Sequence, residues 1–234
     1  MVQAKDNPIL GWHFVGGGPV LAFEHNGRDG VRLRRGLTLR VKPPLAMCER
    51  GLHLSVRAID ALGYCQSGVE PTFVSRVASW GKIFKGDDKI CAEYRKVLWL
   101  ADCTATLHEF ACRCAEDVLD LTGAARAVCE AAIAAKRGWL RGEVTDDDLA
   151  AAWYAAWYAA GNASRYAAGN AARYAAWAAG NASRYAARDA GDAAWAAGDA
   201  AWYAAWYAAG NASRYAARRE QNRRLTSMLM TLKN

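Results

Sequence analysis

The sequence predicts an α+β protein in which a small mixed β-sheet domain is followed by an alanine-rich, all-α helical array. Up to residue 104, short apolar or alternating runs are separated by turn residues. Beyond it, apolar residues recur at helical spacing, and pairs of alanines then recur about every four residues as far as residue 217. We therefore divide the chain into an α+β domain (1–104), a helical repeat domain (105–217) and a basic C-terminal tail (218–234).

Six short runs in the first domain have the composition and spacing of β-strands. They lie at 12–15, 19–23, 31–34, 37–41, 73–77 and 90–100. Gly and Pro turn sequences such as Gly16-Gly-Gly and Pro43-Pro separate them. One helix is expected from Val56 to Tyr64, with the Ser55 side chain as its N-terminal cap.

Three helices are expected between residues 104 and 150. The first begins at Thr104 or Thr106 and keeps its apolar residues on one side. The second spans residues 124–140. The third opens at Thr145, because Thr145 and Asp148 have the three-residue spacing of a capping box.

The helical repeats combine alanine pairs with Trp, Tyr, Gly-Asn and Arg-Tyr sequences. AAWYAAWYAAGNASRYAA occupies residues 151–168 and recurs without change at 200–217. Alanine has the highest helix propensity. A step of four residues overshoots one helical turn by about 40°, so the alanine stripe would drift around a single straight helix. We therefore expect either right-handed wrapping or a break into antiparallel helices.

Composition and charge exclude several classes of protein. Of the 234 residues, 53% are hydrophobic, yet no run of 18 apolar residues exists, so no membrane-spanning helix is expected. The first residues lack the pattern of a secretory signal, and we expect a cytoplasmic protein. The net charge is +7, which permits an acidic partner.

Seven cysteines, an odd number without a secretory signal, indicate reduced thiols. His108 and Cys112 would share a helix face, with Cys103 and Cys114 nearby, which is a weak pattern for zinc. No CxxC pair accompanies them. We therefore expect neither a metal nor a cofactor.

Aromatic and basic side chains interleave in the repeats and are the candidate binding residues for a partner, because such side chains dominate binding hot spots. Packing in a helical core is the alternative, since alanine alone cannot fill a core. A nucleic-acid platform is a further alternative. The candidates are Trp153, Trp157, Arg165, Tyr166, Arg173, Tyr174, Arg184, Tyr185, Trp202, Trp206, Arg214 and Tyr215.

The second half of the chain resembles a family of all-α immunity proteins from bacterial polymorphic toxin systems. The resemblance runs from about residue 108 to 160 and rests on sequences beginning at Cys114 (CAEDVL), Glu130 (EAAIAA) and Trp139 (WLRGEVT), followed by the Ala-Ala-Trp-Tyr repeats. It implies a helical fold that binds a toxin without catalysis.

Residues 45–100 resemble a domain of unknown function that is common in phage genomes. The matching sequences begin at Cys48 (CERGLHL), Ile59 (IDALGY) and Asp87 (DDKICA). The resemblance implies a phage or mobile-element context and no particular activity. Gly51, His53 and Lys89 match the family pattern and, together with His13, form a candidate ligand pocket.

A third resemblance is to the strand and helix order of ADP-ribosyltransferases, carried by Trp12-His13 and by Gly51-Leu-His-Leu-Ser before a helix ending in Gly-Tyr-Cys. That resemblance implies a catalytic site in which His13 and His53 hold NAD and Glu93 orients the ribose. No family motif surrounds Glu93.

These observations lead to one main interpretation and two alternatives. The main interpretation is a non-enzymatic binding or inhibitor protein of a phage or bacterial conflict system, which occludes or sequesters a toxin or defence protein in the host cytoplasm. One alternative is a sponge for a nucleotide immune signal, bound in the N-terminal or an interdomain pocket where His13, His53 and Lys89 converge. The other is an ADP-ribosyltransferase-like enzyme. The apolar run 225–232 is a candidate either for docking on the body of the protein or for dimerisation into a homo-oligomer.

Overall fold

The computed structural model describes residues 2–21, 30–65, 70–122, 125–162 and 212–233. The strands in these ranges are β1 (Val2–Gln3), β2 (Ile9–Gly16), β3 (Val20–Leu21), β4 (Val31–Arg32), β5 (Thr38–Arg40), β6 (Leu52–Leu54), β7 (Thr72–Lys85) and β8 (Ile90–Asp102). The α-helices are α1 (Ala58–Leu62), α2 (Thr104–Glu116), α3 (Arg126–Leu140), α4 (Asp146–Asn162) and α5 (Ala212–Met230). Short 3-10 turns lie at Leu119–Leu121 and Thr231–Lys233.

Backbone contacts divide the chain into two compact units. The sheet unit comprises Met1–Thr104 and Leu225–Asn234, and the helical unit comprises Ala105–Arg224. The α+β class is confirmed, because a curled β-sheet and helices are both present. The expected alanine-rich array falls largely on residues 163–211, which lie outside the described residues.

The sheet unit is built on the long hairpin of β7 and β8. β1 and β2 pair with β7 on one side, and β5 and β6 pair with β8 on the other. All of these pairings are antiparallel, whereas the sequence predicted a mixed sheet. The antiparallel arrangement follows from the tight β7–β8 turn, since parallel neighbours need a longer crossover connection. β3 and β4 form a separate antiparallel pair.

The sheet curls so that β2 approaches the end of β6. Trp12 N donates to Ser55 O over 2.8 Å, and Ser55 N donates to Trp12 O over 3.1 Å. Ser55 therefore belongs to a β-bridge, and its predicted role as the N-cap of α1 is wrong. The cap residue is Arg57, which makes no side-chain capping bond, and α1 starts only at Ala58.

The core of the sheet unit combines apolar side chains from four strands. Leu54, Val77, Ile83, Ile90 and Ala92 form one buried cluster, against which Ile9 packs. β7 runs on to Lys85, well past the predicted end at residue 77. Register shifts after Arg76 and Trp80 interrupt its alternation, which is why the simple strand pattern stops early in the sequence.

The helices α2 and α4 begin where the sequence predicts them to begin. α2 starts at Thr104, whose backbone N–H donates to the Asp102 carboxylate over 2.8 Å. α4 follows Thr145, whose hydroxyl accepts a hydrogen bond from Asp148 N over 3.2 Å, which confirms the predicted helix start. α3 begins at Arg126. No helix within the described ranges is both long and apolar enough to cross a membrane.

Candidate ligand pocket

A cavity of about 330 Å³ opens in the sheet unit between β2, β6 and α1. Aromatic and imidazole side chains meet there because the bridge between Trp12 and Ser55 holds β2 beside the end of β6. The residues that line the cavity are Trp12, His13, Phe14, Cys48, His53, Leu54, Ser55, Ala61, Tyr64 and Lys89. Three of the four predicted pocket residues, His13, His53 and Lys89, are therefore brought together.

His13 lies on β2 with a partly exposed side chain whose Nδ1 atom is buried. Among the described residues, this nitrogen has no hydrogen-bond partner. The pKa of His13 lies well below its ordinary value, first because of burial and then because of the charges of Arg95 and His53. The imidazole is therefore neutral at pH 7, with a buried polar atom that a ligand could satisfy.

His53 lies on β6 and is oriented by the turn that precedes it. The backbone N–H of Cys48 donates to His53 Nε2 over 3.1 Å, so the proton of the neutral ring lies on Nδ1. Burial lowers the pKa of His53, and the charges of Lys89 and Arg95 lower it further. Two neutral imidazoles thus contribute to one cavity wall.

Lys89 is held at the cavity by contacts with two neighbours, Cys48 and Tyr64. Its Nζ atom donates to Cys48 Sγ over 2.8 Å and lies 4.4 Å from the centre of the Tyr64 ring. The Tyr64 hydroxyl in turn donates to the Asp88 carboxylate over 2.7 Å. The pKa of Lys89 is raised, first by the bond to Cys48, so this side chain is a cation at neutral pH.

Arg95 is a second cation beside the cavity, in the middle of β8. Its side chain is only 2% exposed, and its guanidinium donates to the backbone oxygen of His53. Burial lowers the pKa of Arg95 to about 10, which leaves it charged at pH 7. No carboxylate pairs with it in the described part of the chain, and its Nε atom has no partner there.

Two predicted residues lie elsewhere. Glu93 does not line the cavity: its carboxylate accepts from Arg40 over 3.0 Å and from Lys82 N over 3.2 Å. The structure therefore does not assemble the predicted His13–His53–Glu93 constellation. Gly51 has a φ of +149°, and a Cβ there would lie 2.1 Å from Cys91 Sγ, so this glycine allows the close approach of the chain to β8.

Sequence reasoning missed Arg95 and most of the cavity wall. Arg95 carried no distinct signal, because Glu93 and Lys96 lie beside it in β8 and the sequence does not show which of the three charged side chains is buried. Tyr64 and Cys48 lie inside sequences that carried the phage-domain resemblance. The apolar lining residues carried no signal, because apolar side chains in strands usually form core.

Of the twelve candidates in the repeats, Trp153 is the one whose side chain the structure describes. It is half-buried in α4, and its ring lies edge-on to Tyr154 with 4.5 Å between centres. Trp157 lies in α4, and Arg214 and Tyr215 lie in α5. The other eight lie outside the described residues.

No group of three His, Cys, Asp or Glu side chains that could hold a metal ion occurs within the described ranges. His108 and Cys112 are both buried in α2. No family model, curated protein or solved structure matches this chain.

Proposed function

We propose that the sheet unit binds a small phosphorylated ligand of the nucleotide class, and that the protein acts as a non-enzymatic sponge for a nucleotide signal. The observation that carries this proposal is the convergence of His13, His53 and Lys89 on one cavity, with the cation of Arg95 buried beside it. A buried charge without a counter-charge is unfavourable, and a bound anion would offset that cost.

The size and chemistry of the cavity support a mononucleotide. Its 330 Å³ lies at the low end of the range of about 300–1,000 Å³ that is typical of small-molecule sites. Lys89 keeps further N–H donors after its bond to Cys48, and an ammonium group is a common phosphate ligand. Tyr64, which is 50% exposed, offers aromatic surface for a planar base.

Catalysis is less well supported than binding. An ADP-ribosyltransferase-like reaction would use Glu93 on the ribose, and this carboxylate is engaged by Arg40. The lining residues that the structure describes include no Asp or Glu. The sequence also suggests that the aromatic repeats occlude a toxin or defence protein of a phage or bacterial conflict system, and this stays a proposal.

Calorimetric titration of the full chain with ribonucleoside 5′-monophosphates and 3′,5′-cyclic monophosphates tests the proposal, with the uncharged nucleosides as counterparts. We expect at least one nucleotide to bind, and to bind more tightly than its nucleoside. Arg95→Met should weaken this binding by about threefold or more, because it removes a positive charge buried behind the cavity wall, and the Coulomb attraction between that charge and a phosphate extends beyond hydrogen-bond distance.

Lys96→Met is the matched control, because Lys96 is the exposed neighbour of Arg95 on β8. It should leave affinity unchanged. Arg95→Met should keep the free energy of unfolding within about 1 kcal/mol of the original or raise it, since apolar replacement of a buried charge is often neutral. The proposal is contradicted if no nucleotide of the panel binds, or if Arg95→Met and Lys96→Met bind the nucleotide with equal affinity.

A further inference from the structure

Cys48 differs from the other six cysteines in its exposure. All seven thiols are free, but Cys48 is exposed, Cys65 is partly buried and the remaining five are buried. Burial raises the pKa of Cys65 to about 11 and of Cys112 to about 12, which keeps these thiols protonated and unreactive. Cys48 is therefore the most accessible of the seven thiols to reagents in solution.

A cation is positioned directly on the Cys48 sulfur. Lys89 Nζ donates to Sγ over 2.8 Å, so a fixed positive charge lies next to the sulfur. The Tyr64 ring and the Asp88 carboxylate next to it keep the Lys89 side chain in place. His53 faces Cys48 from β6, where its Nε2 accepts the Cys48 backbone N–H and is not available as a base for the sulfur.

The cavity provides an independent reason to expect a small reactant at this sulfur. Cys48 and Lys89 both line it, so Sγ is reached from a space large enough for a small molecule. The buried Nδ1 atom of His13, another lining residue, has no partner in the described part of the chain and can donate to or accept from a polar guest. The site thus combines an accessible sulfur, a fixed cation and room for a reactant.

We propose that Cys48 is a redox-modification site that a hydroperoxide oxidises to a sulfenic acid. The Cys48 thiol sulfur attacks the terminal oxygen of the hydroperoxide, an S–O bond forms and the O–O bond breaks. Sulfur loses two electrons, and the leaving oxygen is reduced and takes up the thiol proton to give water or an alcohol. The Lys89 ammonium stabilises the negative charge that develops on the departing oxygen. This inference does not depend on the identity of the ligand proposed above.

The experiment treats the reduced full-length protein with equimolar hydrogen peroxide at pH 7, traps sulfenic acid with dimedone and measures the label on each cysteine by peptide mass spectrometry. We expect Cys48 to be labelled first, about tenfold faster than Cys65 or more, because Cys48 is exposed and has the Lys89 ammonium at its sulfur, whereas Cys65 is partly buried. Lys89→Met should slow labelling of Cys48 severalfold. Lys89→Arg, which keeps the positive charge, should restore most of the rate.

Lys85→Met is the matched control, because Lys85 is an exposed lysine on the same hairpin. Cys48 of this variant should be labelled by dimedone at the original rate. The proposal is overturned if Cys65 is labelled as fast as Cys48, or if Lys89→Met and Lys85→Met give the same rate. Circular dichroism of each variant establishes that a slower rate is not the result of unfolding.

Discussion

At the scale of single residues, burial determines the charge of His108 in the helical unit. Its side chain is 2% exposed, and its ring lies edge-on to Trp139 with 5.6 Å between ring centres. The Lys136 ammonium lies 4.0 Å from the centre of the same Trp139 ring. Burial first, and then the Lys136 charge, lower the pKa of His108 to about 3. The folded protein therefore holds this imidazole neutral over the whole physiological range.

This depressed pKa makes the stability of the protein sensitive to acid. Below pH 6.5 the unfolded chain takes up a proton at His108, whereas the folded chain does so only near pH 3. The free energy of unfolding should therefore decrease as the pH is lowered from 6.5 towards 3. This one residue contributes at most about 1.4 kcal/mol per pH unit to that decrease. His108→Leu should make the fall shallower in urea unfolding measured from pH 7 to pH 5.

Ala105→Ser, an exposed and uncharged change on the same helix, is the control and should keep the original slope. An identical pH dependence of His108→Leu and the unchanged protein would show that another group carries the effect. His13 and His53 also have lowered pKa values, so part of the slope should remain in the His108 variant.

At the scale of elements, the cavity depends on how closely β2 approaches β6. A Cβ added at Gly11 would lie 2.5 Å from Leu54 Cδ1 and 2.8 Å from Ser55 O. The second neighbour is backbone and cannot rotate away. Glycine is therefore required at this position of β2 for the bridge that places His13 beside His53.

Gly11→Ala should separate the two strands, and such overpacking typically costs about 1–3 kcal/mol of stability. We expect a lower midpoint of chemical unfolding together with weaker nucleotide binding, measured by urea titration and calorimetry. Leu10→Ala is the matched control, because Leu10 is an exposed neighbour on the same strand. Normal stability and normal binding in Gly11→Ala would mean that the strand approach is not essential.

The elements also show which parts of the fold could be predicted from sequence. β2, β8 and the starts of α2 and α4 were predictable because alternation and capping are local patterns. Ser55 was misassigned because a serine before a helix has the same local signature whether it caps the helix or pairs with a distant strand. Only the tertiary pairing with Trp12 distinguishes the two outcomes.

The candidate pocket was predictable in part for the same reason. His13, His53 and Lys89 stood out as polar residues beside strands or in a family-like sequence, and the curled sheet brings them together. Glu93 stood out equally, yet its side chain belongs to the surface pair with Arg40. The register of β7 against β8 shifts between Trp80 and Ile83, opposite Glu93. Such an irregularity changes which face of the sheet a side chain occupies, and strand periodicity in the sequence does not reveal where it occurs.

At the scale of the whole molecule, the two ends of the chain belong to one folding unit. Leu225–Asn234 cluster with Met1–Thr104, although more than a hundred residues separate them in sequence. Leu225 and Leu229 are fully buried, and the closing 3-10 turn contacts β8. The stability of the sheet unit should thus depend on residues at the far end of the chain, a non-local contact that also slows folding.

Leu229→Ala tests this dependence, because truncating a buried leucine typically costs about 2–5 kcal/mol. If the C-terminal segment is part of the sheet unit, this variant should increase hydrogen exchange in β7 and β8 of the full chain. Met230→Ala, the exposed neighbour, should leave exchange unchanged. If exchange becomes faster only in α2 and α3 while β7 and β8 stay protected, Leu229 stabilises the helical unit and the expected dependence is wrong.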